Sequence, residues 1–237
     1  MADVTDSYAN VTITPYSPGS YENFLDASYV KHDYYNCLTV DANSVNVVDM
    51  QWCPAPAPGE NIRKDFGASY FGNFDIKFKI TLNAMDVATV GAMILTNDAT
   101  ITSYEGNGAQ EYFDGVALAY WRVVGPPATV YWNLADRNTG GGNAAYNLTE
   151  NPPFGVPYWV RLQRTLTPPT SVITAKFYTT DQYAANWTGT PVHTSTLNTL
   201  TSSRYQYLIL VTNRGNCGGG VTYNISYLLE NMQQLGG

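Results

Sequence analysis

The chain has 237 residues, enough for one large all-β domain with a substantial core, and 44% of them are apolar. Charged residues make up only 13%, against a usual share of roughly 25%, and 19 acidic and 12 basic residues leave a formal net charge of −7. Lys and Arg are scattered along the sequence, which excludes the electrostatic footprint of a nucleic-acid-binding protein, and no run of 18 apolar residues exists to span a membrane as a helix. The surface is therefore expected to be built from Thr, Asn, Ser, Gln and the 19 tyrosines, a residue that suits both strands and contact surfaces. The start, Met1-Ala-Asp-Val-Thr-Asp-Ser, has no basic-then-apolar signal segment. Two alternatives remain: a protein not exported by that route, or a sequence without its leader.

In chain order, residues 1–26 hold the turn formers Pro15 and Ser17-Pro18-Gly19 and no long apolar run. They read as an N-terminal arm, with a single domain over 27–237. Segments 38–40 and 45–48 flank Asp41-Ala42-Asn43 as a hairpin. Cys53-Pro54-Ala55-Pro56-Ala57-Pro58-Gly59 reads as a stiff extended linker, since alternating prolines cannot join a central ladder.

The clearest signal follows. Phe74, Ile76, Phe78, Ile80 and Leu82 alternate with Asp75, Lys77, Lys79 and Thr81, the period of two that puts one face on a core and the other toward water. Further strands are expected over 90–96, 115–124, 129–134, 156–165, 172–179, 205–211 and 221–229. Turn-rich stretches separate them, among them Gly125-Pro126-Pro127, Pro168-Pro169 and Gly218-Gly219-Gly220. This spacing predicts two stacked antiparallel sheets. Residues 228–235 read as a short helical tail.

Cys37, Cys53 and Cys217 form no Cys-x-x-Cys or Cys/His pattern, so no zinc site is expected and the cysteines read as small buried hydrophobes. Three is an odd number, which leaves at least one thiol free or paired between chains. The acidic, Gly-rich stretch carrying Asp98, Glu105 and Glu111 offers oxygen ligands of the kind calcium takes; the competing reading is a solvated loop of turn residues. His32 and His193 lie in no nucleophile motif.

Asp65-Phe66-Gly67-Ala68-Ser69-Tyr70-Phe71-Gly72-Asn73-Phe74 resembles the entry into a concanavalin A-like jelly roll, the fold of legume lectins, laminin-G domains and family-16 glucanases. Asp114-Gly115-Val116-Ala117-Leu118 is similar to the Asp-Gly strand of the legume lectins. Tyr158-Trp159-Val160-Arg161-Leu162 followed by 172–178 resembles a strand pair of the same fold. The resemblance implies an all-β, concanavalin A-like jelly-roll sandwich. It also implies that Asp114 accepts hydrogen bonds from sugar hydroxyls, with Tyr131, Trp132 and Asn133 as stacking and amide partners. Against that stands a plain Asp-Gly turn. The lectin metal loop is not reproduced; Asp136-Arg137-Asn138 is its nearest match.

Glycoside hydrolysis needs a pair of carboxylates flanking the bond. The Glu-x-Asp-x-x-Glu strand of the glucanases is missing, so no enzyme is expected. The opening from Asp6-Ser7-Tyr8 to Ser20-Tyr21 resembles the starts of tailed-phage structural proteins. Together these imply a non-enzymatic decoration protein on a virion surface. Its partners would be other virion proteins or copies of itself as a homo-oligomer, with a cell-surface glycan as a further ligand and no membrane insertion. The rival is a free extracellular lectin or carbohydrate-binding module, and a degenerate glycoside hydrolase is the third alternative.

Overall fold

The computed structural model describes residues 21–33, 36–51, 59–85, 88–99, 115–123, 129–138, 142–150, 152–199, 203–214 and 224–236. Within them run fourteen strands. The first seven are β1 (Tyr29–His32), β2 (Leu38–Asp41), β3 (Ser44–Gln51), β4 (Gly59–Asp65), β5 (Phe74–Met85), β6 (Ala88–Thr96) and β7 (Gly115–Val123). They are followed by β8 (Thr129–Asn138), β9 (Gly142–Glu150), β10 (Pro157–Thr167), β11 (Thr170–Tyr178), β12 (His193–Thr199), β13 (Tyr207–Arg214) and β14 (Asn224–Gly236). Two seven-stranded sheets result, ordered β1-β4-β13-β6-β7-β8-β9 and β12-β11-β10-β5-β14-β3-β2. Every pairing is antiparallel. This is the expected sandwich.

The alternation in β5 sets the packing. Phe74, Ile76, Phe78, Ile80 and Leu82 are buried, and with Val160, Leu162, Ile173, Phe177, Tyr227 and Leu229 they line the inner face of the second sheet. Facing them from the first sheet are Met93, Leu95, Leu118, Tyr120, Trp132, Leu134, Leu208 and Leu210. The hairpin expected after residue 40 is present, with Leu38 opposite Val47 and Asp41 opposite Ser44. Chain before β1 joins this body: Phe24 is buried, its amide donates to Ala42 O at 2.9 Å, and the Glu22 amide donates to Met232 O at 2.8 Å.

The helical tail is not observed. Residues 228–235 lie within β14, which pairs with both β3 and β5. The pairing with β5 is irregular between Ser226 and Tyr227, where β5 carries the extra residue, and between Glu230 and Gln233, where β14 carries it and Asn231 takes a left-handed φ of 55°. Such bulges break the two-residue rhythm. Leu229 and Met232 then both reach the core, and their spacing of three mimics a helix. Four strands gave no sequence signal. β1, β9 and β12 lie at or near sheet edges and carry little apolar alternation, as edges do. β4 is interior, yet its run Glu60-Asn61-Ile62-Arg63-Lys64-Asp65 contributes only Ile62 to the main core.

Phe78 has no exposed surface. Phe78→Ala is expected to lower unfolding free energy by about 3–5 kcal/mol, read by urea denaturation followed by circular dichroism.

Candidate functional site

The outer face of the second sheet gathers residues that are far apart in sequence. Strand register places Tyr178, Trp159, Lys79 and Glu230 in one row across β11, β10, β5 and β14. The next row holds Lys176, Arg161, Lys77 and Gln233, and beside it lie Thr174, Gln163 and Asp75. Each belongs to the outward set of its strand. The same alternation that builds the core therefore builds this stripe.

Four cations stand here against two carboxylates, on a chain whose net charge is −7. Arg161 forms a two-pronged contact with Asp75, Nε to Oδ1 at 2.9 Å and Nη2 to Oδ2 at 2.6 Å, the strong geometry for this pair. Lys77 Nζ lies 3.7 Å from Asp75 Oδ2, and Lys79 Nζ lies 2.7 Å from Glu230 Oε2. The Asp75 contact raises the Arg161 pKa above its ordinary range. Burial outweighs Asp75 at Lys77 and depresses its ammonium pKa. Lys79 sits over the half-buried Trp159 ring, 6.0 Å from its centroid. That arrangement combines an apolar platform with adjacent positive charge.

The connection from β11 to β12 reaches over this face. Its Trp187 ring lies 5.9 Å from Lys77 Nζ and meets Tyr178 and Tyr183 edge-on, at 5.8 and 5.2 Å. The Tyr183 hydroxyl donates to the Asn231 carbonyl on β14, which anchors the strap across the sheet. Asn186 and Trp187 take φ values of 49° and 59°, a region costly for a bulky side chain. The turn is held by the Trp187 amide donating to Gln182 O at 2.9 Å and the Gly189 amide donating to Gln182 Oε1 at 3.1 Å. A Cβ on Gly189 would stand 2.6 Å from that oxygen, so a larger residue there would have to displace the buried Gln182 side chain.

The residues singled out in the sequence fall elsewhere. Trp132 is no sugar platform. It faces inward, 4.2 Å from the Tyr120 ring and 4.9 Å from Phe177 between centroids, because it shares the inward set of β8 with Val130 and Leu134. Tyr131 and Asn133 lie on the opposite, outer face of β8, where Asn133 is buried opposite Ala119. The floor around it is closed and small: Ile94, Ala117, Ala119, Ala135 and Ile209 have no exposed surface. Asp114, Glu105 and Glu111 lie outside the described residues. Asp98 is half-buried, its amide donating to Thr96 Oγ1 at 3.0 Å. Asp136 points inward, accepts from the Tyr205 hydroxyl at 3.3 Å and faces the buried Arg164, so it opens no calcium loop. Cys37 is a buried free thiol, and its pKa is pushed up to about 12 by burial, then by Glu60 and Asp33.

The stripe was overlooked because scattered positions 77, 79, 161 and 176 look unclustered until register aligns them. The available signal was the outward half of two alternating segments, 74–82 and 158–163.

No protein-family model matches the sequence, and no curated protein matches it. Solved structures do. A variant of the alginate lyase Aly36B in complex with alginate tetrasaccharide is 11% identical, with 94% of each chain covered and a TM-score of 0.54. The alginate lyase from Alteromonas sp. 272 is 8% identical, covering 88% of this chain and 94% of that one, with a TM-score of 0.53. The exoplasmic/lumenal domain of VIP36, in its Ca2+/Man3GlcNAc-bound form, is 9% identical, covering 91% and 87%, with a TM-score of 0.52. At these identities the likeness shows the fold, a concanavalin A-like jelly roll.

Two expectations are corrected by these likenesses. Several of the similar structures are alginate lyases, so the non-enzymatic decoration role falls. The exclusion of catalysis falls with it. A missing glucanase triplet rules out one hydrolytic arrangement, whereas the same sandwich serves enzymes that are lyases.

Lys77 generates a pH prediction. The folded protein releases this proton at a pH where the unfolded chain still holds it, so unfolding takes up a proton and stability rises with pH across the lysine range. Lys77→Met is expected to flatten that rise in urea denaturation from neutral to alkaline pH. An unchanged slope would count against it.

Proposed function

We propose that this protein is carbohydrate-active and takes an acidic polysaccharide along the outer face of β11, β10, β5 and β14. The observation that carries the reading is the excess of cations around Trp159 on a chain that is acidic overall. A sugar ring needs an apolar surface and a few directed polar groups, which Trp159 and Gln163 supply. A glycan carboxylate needs Arg or Lys, and a guanidinium already oriented by Asp75 is held ready for it. Alginate, the ligand of the Aly36B complex, is an acidic polysaccharide of this class.

Binding is expected to alginate or pectate and not to a neutral glucan, weakening as salt rises. Arg161→Ala is expected to weaken it roughly 10–100-fold, the equivalent of one charge-assisted hydrogen bond, and Trp159→Ala about tenfold through lost ring contact. Calorimetry at two salt concentrations reads both. Equal affinity for acidic and neutral chains would refute the proposal.

Lys77 favours a further step, β-elimination. Burial disfavours the ammonium form of Lys77, which makes its amine more available as a base, and Arg161 lies one strand away in register to neutralise the uronate carboxylate. In this reading Lys77 takes the proton from the carbon beside the carboxylate, that C–H pair forms the new C=C bond, and the glycosidic C–O bond breaks. The departing oxygen then takes the proton back from Lys77. An unsaturated uronate end absorbs in the ultraviolet. Growth of that absorbance with wild type and its loss in Lys77→Met are expected, and no absorbance change with any acidic glycan would leave binding alone.

A further inference from the structure

We propose that Asp33, Cys37 and Glu60 form a binding site for a divalent cation of the zinc class, where the chain passes from the first sheet to the second. The site is independent of the charged face described above. The carboxylate oxygens of Asp33 and Glu60 and the sulfur of Cys37 all lie within 4.8 Å of one another.

The fold brings them together from two sheets. Antiparallel register between β1 and β4 runs to His32 opposite Asn61, and one further step sets Asp33 beside Glu60. Cys37 precedes β2 in the other sheet, where its carbonyl accepts from the Val48 amide at 2.9 Å. Asp33 shapes the crossing: its Oδ1 accepts from the amides of Cys37 at 2.9 Å and Leu38 at 3.3 Å. Asn36, at φ 55°, lets the chain turn back.

The donor set has the right chemistry. Zinc bonds cysteine sulfur at about 2.3 Å and carboxylate oxygen at about 2.0–2.2 Å, so its ligand atoms stand roughly 3.3–3.8 Å apart, within a small side-chain adjustment of the present spread. A thiolate with carboxylates selects against calcium and magnesium, which take oxygen alone. Glu60 and Cys37 are both buried.

A second, separate observation points the same way. Tyr227 has no exposed surface, its hydroxyl has no hydrogen-bond partner among the described residues, and it lies in the electrostatic field of Cys37. It reaches that position through the row Tyr227, Val47 and Leu38 across β14, β3 and β2. A polar group so placed suits a water molecule on the metal's fourth position. Lys31, whose Nζ sits 3.0 Å from Asp33 Oδ2 and whose side chain is 45% exposed, can swing into solvent when the dication arrives. Binding exchanges one proton for the metal: the Cys37 S–H bond breaks, a sulfur–metal bond forms and the proton goes to solvent.

Chelator-stripped protein titrated with Co2+ tests the site, because a thiolate on cobalt produces a sulfur-to-metal charge-transfer band. Wild type is expected to develop the band, to lose it on adding Zn2+, and to melt at a higher temperature with Zn2+ but not with Ca2+. Cys37→Ser, checked for fold by circular dichroism, is expected to abolish the band, and Glu60→Gln to weaken Co2+ binding at least tenfold. A wild-type protein without the band overturns the proposal. So does a band that survives in Cys37→Ser, since the sulfur would then belong to Cys53 or Cys217.

Discussion

A slip of one residue in the pairing of β5 with β10 would send Phe74, Ile76, Phe78, Ile80 and Leu82 to solvent and carry Asp75, Lys77 and Lys79 into the core. Because side chains in a strand alternate with a period of two, no smaller error is available, and this one costs the burial of five large apolar groups and three charges at once. The register of the central strands is thus the constraint on which both halves of the molecule depend. It makes the inner face a core, and by the same step it makes the outer face a stripe of Tyr178, Trp159 and Lys79 beside Lys176, Arg161 and Lys77. Core and candidate site are two readings of one alternation.

A second device reinforces the register from inside. Arg164 belongs to the inward set of β10 and is almost fully buried, with its guanidinium 5.2 Å from the Tyr205 ring and in the field of Asp136 on the opposite sheet. Buried charge of this kind is weak support for stability, and its best-attested use is to specify arrangement. Here it links β8 in one sheet to β10 in the other. A displaced strand would leave Arg164 without Asp136 and Tyr205, a heavier loss than any single apolar contact.

This logic explains what the sequence disclosed. Residues 74–82 announce a half-buried strand because both halves of the alternation are chemically pure. β14 was legible only as far as Leu229, since beyond it one extra residue at the bulge places Met232 on the core side and breaks the count. β4 was silent because Arg63 and Lys64 serve neighbours and surface, not the core. The site was invisible for a further reason. Trp132, next to Tyr131 and Asn133, looked like part of a sugar platform, but adjacency in a strand means opposite faces. Residues that do share a surface, such as Lys79, Trp159 and Tyr178, are separated by whole strands, and only pairing reveals them.

The two outward faces of the sandwich differ. On the first sheet, Ala117, Ala119 and Ala135 with Ile94 and Ile209 make an apolar floor without exposed surface. On the second, charges are retained only partly solvated, and a strap crosses them carrying Trp187 in a left-handed backbone conformation. Strain of this sort costs about 1–3 kcal/mol and persists only where surrounding contacts enforce it. Those contacts are here: Gln182 clamps Gly189, and Tyr183 is tied to Asn231. A turn needed only to join β11 to β12 could avoid an aromatic at that position. Keeping Trp187 there places an indole above Lys77 and Tyr178, which lowers the local polarity around the lysine. The strained turn and the depressed ammonium therefore belong to one arrangement on the outer face of the second sheet.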